Sequence, residues 1–234
     1  MSFAKSSKKS EDVKQSGGAY INGSGIYPVN IIAPLVSVSN GGSTSVDMYV
    51  DHMKQKQVIY GNLRVTNNDE SPNKIGAKIF NQLMIIAGVD EVADPIEAEL
   101  PIGKKEKMKD CAVLEDLTDI DVLMRVQMEY SAYNGNIQEK KVIKGFYRAE
   151  DLATAEEIVN ESDFGNGYEA DQKYVNNITY KDGMTPEKIA AWIAASRPDG
   201  TAGDEAGSTS TGGNKERAPA FGKKRFAGGK KDDE

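Results

Sequence analysis

The chain has 234 residues and a formal net charge of −7 at neutral pH. This length allows one large or two small domains, and the acidic balance excludes a uniformly basic nucleic-acid-binding surface. The single cysteine, Cys111, excludes an internal disulfide and a thiolate metal cluster, so we expect a reducing compartment. No segment approaches the roughly 20 apolar residues of a membrane span, which predicts a soluble, cytoplasmic protein without a membrane partner.

The hydrophobic residues are concentrated in the middle of the chain, which predicts one folded domain over residues 21–197. Residues 1–20 carry four lysines and two acids and predict a flexible N-terminal arm. Residues 198–234 consist mainly of small and charged residues that cannot offset their ordering entropy. They predict a disordered tail with an acidic tip.

The first predicted elements are three strands in an antiparallel meander. Residues 25–38 are rich in β-branched side chains, and Pro28 and Pro34 mark this strand as edge-like or bulged. Residues 45–53 alternate apolar and polar side chains and predict a half-buried second strand. Residues 56–65 predict a third strand, paired with the second as a hairpin.

One core helix follows, over residues 74–89. Its apolar residues Ile75, Ile79, Leu83 and Ile86 have helical spacing, and Gly88 is a typical helix-ending residue. Residues 90–119 are acidic and contain proline, and they predict an insertion or a long loop. This segment also holds a lysine cluster, which consists of Lys104, Lys105, Lys107 and Lys109.

Two further strands are predicted over residues 121–133 and 139–149, joined by a turn at residues 134–136. Three strands, a helix and two strands are the element order of an OB barrel. We therefore predict a mainly β protein with a five-stranded OB-like barrel and one core helix. Short C-terminal helices are expected at 153–159 and 186–196, separated by an irregular segment over 164–180.

The sequence contains no recognisable catalytic constellation. The single histidine, His52, shares a strand face with Val50 and has no second histidine or cysteine to complete a metal site, so we interpret it as structural. The carboxylates follow no metal-loop pattern, and the glycines lack the strand and helix context of a phosphate-binding loop. We predict no enzymatic activity, no metal and no cofactor.

Aromatic and basic side chains recur along the third to fifth predicted strands, as expected of a surface that binds single-stranded DNA. The candidate residues are Lys54, Lys56, Tyr60, Arg64, Arg125, Lys140, Lys141, Lys144, Tyr147 and Arg148. Aromatic rings stack on exposed bases, while lysine and arginine contact the phosphates. The other interpretation of these residues is the solvated outer face of an ordinary barrel.

Strand periodicity divides these candidates between faces. Alternation places Lys56, Tyr60 and Arg64 on one sheet face. It places Lys140, Lys144 and Arg148 together in the same way. Tyr147 shares its parity with Ile143, which leaves open a position in the core.

Four segments resemble the bacteriophage single-stranded-DNA-binding proteins with an OB core. They read GIYPVNI, IYGNLRVTNND, KIFNQLMIIAGV and IKGFYRAEDLATAEEIV, and together they span about residues 25–160. The resemblance implies a protein that coats single-stranded DNA without strong sequence preference during phage replication or recombination, in the host cytoplasm. The alternative function is a phage structural or assembly protein that uses the barrel as a protein-interaction module.

The resemblance also implies a role for the C-terminal tail, which in this family is flexible and acidic and often ends in an aromatic residue. Here the tip is Asp232, Asp233 and Glu234, with no terminal aromatic residue. Phage replication or recombination proteins are the partners that such a tail implies.

Neutralising the acidic tip should raise the affinity for single-stranded DNA at low salt. Asp232, Asp233 and Glu234 are anions on a tether that can hold them near the barrel at roughly millimolar effective concentration, where they would compete with DNA. The test replaces them together with Asn, Asn and Gln, which retains Lys230 and Lys231, and measures binding at low salt where exposed charges are least screened. Unchanged or weaker binding would reject competition by the tail.

Overall fold

The computed structural model describes residues 20–103 and 107–196, and it confirms the mainly β prediction. The strands are β1 (Gly25–Val38), β2 (Thr44–His52), β3 (Gln55–Arg64), β4 (Ile96–Ile102), β5 (Lys107–Val113), β6 (Ile120–Tyr133), β7 (Asn136–Arg148) and β8 (Thr179–Tyr180). The helices are α1 (Gly76–Ala87), α2 (Ala155–Val159), α3 (Asn166–Gln172) and α4 (Pro186–Ser196). None of these helices has the length and apolar character needed to cross a membrane.

Strand β1 is central in the sheet, so the prediction that it is edge-like was wrong. It pairs antiparallel with β6 over residues 25–31, with β2 over residues 30–38 and with β5 at Leu35 and Val36. At Pro28 only the β6 flank is paired. At Pro34 the β2 flank is paired, and the carbonyl oxygen accepts from the N–H of Leu114, next to β5, at 3.2 Å. Proline has no N–H to donate, but its carbonyl oxygen can still accept, which allows this residue inside the sheet. The predicted bulge is present, since the register with β2 shifts between Ile31 and Ala33.

The prediction of a five-stranded barrel was also wrong. The described residues form one open sheet of eight strands, and although β3 and β7 contact each other, no ladder between them is described. Residues 90–119, predicted as an insertion or long loop, include the hairpin β4–β5, which extends the sheet from β1. Its strands carry charged side chains and a proline, so hydrophobic patterning did not reveal them.

The main core lies between α1 and the inward faces of β1, β2, β3, β6 and β7. Helix α1 buries Ile79, Leu83 and Ile86 against this core and ends at Gly88, whose φ of 69° is left-handed, as predicted. Ile75 is 74% exposed because the helix begins one residue after it. At that position a Cβ on Gly76 would lie 1.8 Å from the backbone oxygen of Arg64, so α1 can approach β3 only with glycine there.

A second, smaller cluster lies at the far end of β6, where α4 docks. It consists of Met128, Tyr130 and Ile189, with Ile137, Tyr180, Met184, Trp192 and Ile193 packed around them. The segment over 164–180, predicted as irregular, contains α3 and the short strand β8, which pairs parallel with β6. Both elements are short enough that periodicity could not reveal them.

His52 is buried and structural in the sheet. Its Nδ1 lies 2.7 Å from the backbone oxygen of Pro28, and its ring meets the ring of Tyr27 edge to face at 5.5 Å. The side chain therefore links the end of β2 to β1, in agreement with the interpretation of His52 as a structural residue.

Candidate nucleic-acid interface

The outward face of β3 carries the predicted aromatic and basic residues together. Lys56, Tyr60 and Arg64 are exposed, whereas Ile59 and Leu63 between them are buried in the core. Tyr60 is 61% exposed. Lys56 and Arg64 oppose Asp51 and Ser45 of β2, so these two residues share the outward face as predicted. Tyr60 lies where the register with β2 shifts, between the paired residues Ile59 and Leu63.

Two lysines of β7 are exposed, but the predicted common face of Lys140, Lys144 and Arg148 is wrong. Gly145 lies opposite Arg125 and Ile143 lies opposite Val126, so Lys144 is an extra residue in a β-bulge. Because of this extra residue, the side chains of β7 after the bulge point to the face opposite to the one that simple alternation predicts. Lys140 consequently points outward, while Arg148 has the parity of the inward-facing Val122, which it opposes.

Arg125 and Tyr147 lie on the outward side of β6 and β7, where α3 covers them. The guanidinium of Arg125 forms an ion pair with Asp171, and the Tyr147 hydroxyl donates to the other oxygen of the same carboxylate at 2.5 Å. The ring of Tyr168 packs edge-on against Tyr147, which is 2% exposed. Tyr147 is thus buried under a helix, outside the main core, and neither residue presents a free surface to DNA.

The last two candidates are also engaged by the fold. Arg148 binds both oxygens of Asp151, at 2.9 and 2.6 Å, and its guanidinium lies 5.0 Å from the centre of the Phe164 ring. Lys141 is half-buried opposite Met128, beside the second cluster.

The remaining cations are exposed and form no ion pair within the described part of the chain. They are Lys54 in the turn after β2, Lys56 and Arg64 on β3, and Lys140 and Lys144 on β7. Since β3 and β7 are in contact, we name these five residues and Tyr60 the β3–β7 surface. Ion pairs elsewhere use Arg125, Arg148 and Lys181.

The Tyr60 hydroxyl is partly buried and has the carboxylate of Asp47 nearby. Its pKa is raised, first by partial burial and then by the nearby negative charges of Asp47 and of the Cys111 thiolate form. The side chain is therefore a neutral phenol at physiological pH. Leu35 of β1 opposes both Asp47 of β2 and Val113 of β5, so Val113 and Cys111 lie on the outward face of the sheet.

Sequence reasoning noted Lys107 and Lys109 but did not predict them as binding residues. Both are exposed on β5, and both have strand parity with Cys111. The only local pattern that places these lysines on one strand face is an alternation in residues 107–111, in which Lys107, Lys109 and Cys111 are separated by Met108 and Asp110. The acidic, proline-containing composition of residues 90–119 obscured this pattern. Lys104 and Lys105 of the same cluster lie outside the described residues.

The predicted termini lie beyond the described ranges, apart from Tyr20 at the end of the N-terminal arm. This applies to the tail over 198–234 and to its tip, Asp232, Asp233 and Glu234. Comparison with known proteins gave no match, either among family models or among curated proteins.

Replacing Tyr147 with Phe should flatten the loss of stability at alkaline pH. Burial, followed by the hydrogen bond to Asp171, raises the pKa of Tyr147 above its ordinary value of about 10. The folded state therefore holds this proton more tightly, and the resulting stability is complete below about pH 10 and is lost as the pH rises above it. Tyr147→Phe should lower the free energy of unfolding by about 1–3 kcal/mol near neutral pH and make its decline above pH 10 less steep.

Urea unfolding at a series of pH values measures both effects. Tyr174→Phe is the matched control, because it removes a hydroxyl from an exposed side chain and should leave the curve unchanged. An alkaline decline in Tyr147→Phe as steep as in the wild type would contradict the assignment.

Proposed function

We propose that this chain binds single-stranded DNA without strong sequence preference, through the β3–β7 surface. The observation that carries the proposal is the exposed ring of Tyr60, which lies between Lys56 and Arg64 on the outward face of one strand. The chemistry required for sequence-tolerant binding is this combination of a ring that stacks on a base and cations that follow the backbone.

The charges of the β3–β7 surface support a polyanionic ligand. Its five cations are not engaged in ion pairs of the described fold, although the whole chain is acidic. Such exposed cations can bind phosphates without breaking an ion pair of the described fold. The net charge of −7 then disfavours binding elsewhere and favours a local site.

The exposed ring favours single strands over duplex DNA. In a duplex the faces of the bases are already stacked on one another, so a tyrosine ring reaches them only by unstacking. An unpaired strand presents its base faces directly, and stacking on an aromatic side chain contributes about 1–3 kcal/mol per base.

The pairing of the central strands supports a relationship with OB-type proteins. β1 pairs with β2 and β6, β2 with β3, β6 with β7, and α1 comes between β3 and β6 in the chain. This is the strand order of an OB barrel without a described ladder between β3 and β7, and it carries the additional hairpin β4–β5. OB folds bind oligonucleotides on the face formed by their second and third strands, where Tyr60 lies in this chain.

From this we propose that the chain coats single strands during phage DNA replication or recombination in the host cytoplasm, with no chemistry of its own. The acidic C-terminal tip would contact replication or recombination proteins. A phage structural or assembly role is the alternative that failure of the DNA-binding tests would favour.

Binding to an oligonucleotide should weaken steeply as salt is added. Neutralising phosphates releases counterions, so the logarithm of the association constant falls by about 0.7 per phosphate contact for each decade of salt. If all five cations of the β3–β7 surface engage, the slope should be about −3.5. Fluorescence anisotropy with labelled oligo-dT at several salt concentrations measures it, with unlabelled duplex DNA as a competitor. No binding, salt-independent binding or equal competition by duplex would each contradict the proposed function.

Replacing Tyr60 with Ala should weaken oligo-dT binding by about 5- to 150-fold, because the substitution removes about 1–3 kcal/mol of stacking. Tyr60→Phe retains the ring and should bind as the wild type does. Tyr174→Ala removes a similarly exposed tyrosine from outside the surface and serves as the control. The thermal midpoint should not change in any of the three variants, and a Tyr60→Ala protein that fails to fold or binds normally would contradict the role of this ring.

A further inference from the structure

The hairpin β4–β5 folds against the outward side of β2. The Tyr49 hydroxyl donates to the backbone oxygen of Pro101 at 2.7 Å. Met48 and Val50 face the main core, so Tyr49 between them points to the outward face of β2. It is nevertheless buried. Ile102, at the end of β4, is buried as well. The hairpin therefore covers part of the outward face of the sheet near β3.

The register of β4 and β5 separates the charges of the hairpin between its two faces. Directly opposed residues of an antiparallel pair lie on the same face. One face consists of Ile96, Ala98, Leu100, Ile102, Lys107, Lys109, Cys111 and Val113, and the other consists of Glu97, Glu99, Pro101, Met108, Asp110 and Ala112. The first face carries cations and no acid, whereas the second carries three acids and no cation.

The face with the cations is the one turned toward the sheet. Ile102 and Val113 belong to it and are buried. Val113 opposes Leu35, which on its other flank opposes the outward-facing Asp47, so this face of the hairpin continues the outward face of the sheet. Glu97, Glu99 and Asp110, on the opposite face, are all exposed. The acids of the hairpin thus point away from Tyr60, and Lys107 and Lys109 share the face that is turned toward it.

We propose that the hairpin β4–β5 forms the second wall of the DNA-binding groove, in which Lys107 and Lys109 contact the phosphates of the strand whose base stacks on Tyr60. This inference rests on the proposed function. The occupant is single-stranded DNA because the two walls bring cations to both sides of an exposed aromatic ring, while the hairpin acids are excluded from the groove. Lys56 and Arg64 supply the cations of the first wall.

The first test combines Lys107→Ala and Lys109→Ala in the full chain and measures oligo-dT binding by anisotropy. Two lost phosphate contacts should make the salt slope shallower by about 1.4 and weaken binding several-fold at low salt. Lys173→Ala combined with Lys188→Ala is the control, because it removes the same charge from exposed residues at α3 and α4. Thermal unfolding verifies that both variants are folded.

The second test uses Cys111, the single cysteine of the chain, as a reporter within the groove. Saturating oligo-dT should slow its alkylation by a maleimide at least several-fold, and duplex DNA at the same concentration should not. The reaction needs no substitution, so it remains informative if the lysine variant is unstable.

The outcomes separate the two proposals. If the wild type does not bind oligo-dT, the proposed function fails. If binding depends on Tyr60 while the Lys107 and Lys109 variant matches its control and Cys111 reacts at an unchanged rate, the hairpin inference fails and the proposed function stands. A shallower salt slope together with protection of Cys111 supports both.

Discussion

The described fold depends on how β1 divides its hydrogen bonds among three strands. Its first half pairs with β6, its second half with β2, and β5 joins next to its end. This single strand therefore fixes the positions of the hairpin β2–β3, which carries Tyr60, and of the hairpin β4–β5 beside it. The pairing of β1 changes sides between its two prolines. The bulge between Ile31 and Ala33 lies where the change occurs.

A second constraint decides which cations remain available. Asp171 of α3 binds Arg125 and Tyr147 together, and Asp151 binds Arg148, so acidic residues that follow β7 engage basic residues of β6 and β7 on both faces of the sheet. The cations of β3 have no such acidic helix over them. The distribution of carboxylates along the chain, more than the number of lysines and arginines, thus defines the candidate surface.

Elements with strong local periodicity were predictable from the sequence. β1, β2, β3, α1, β6, β7 and α4 were predicted to within a few residues, since each buries a regularly spaced apolar set. The hairpin β4–β5 was missed because its pairing is specified by β1 and by Tyr49, distant in sequence from its charged strands. No local pattern in residues 90–119 specifies the strand with which this hairpin pairs.

The same reasoning explains which site residues were predicted correctly. Lys56 and Arg64 keep the parity that alternation predicts, because the two extra residues of β3 between Ile59 and Leu63 leave that parity unchanged. The bulge at Lys144 depends on how β7 pairs with β6, and it separates Lys140 from Arg148 without any signal in the sequence itself. The burial of Arg125 and Tyr147 depends on α3, whose Asp171 lies 24 residues beyond Tyr147 in the chain.

The pairing of β1 also has a consequence for how the chain folds. Residues 25–31 have their partner in residues 120–126, so one edge of the central strand stays unpaired until β6 is available. The meander and α1 precede β6 and cannot by themselves enclose the main core, since Val122, Met124 and Val126 form part of it. Until β6 has been synthesised, the N-terminal half therefore keeps apolar surface exposed and one edge of β1 unpaired. Such long-range closure slows folding and makes the nascent chain sensitive to aggregation.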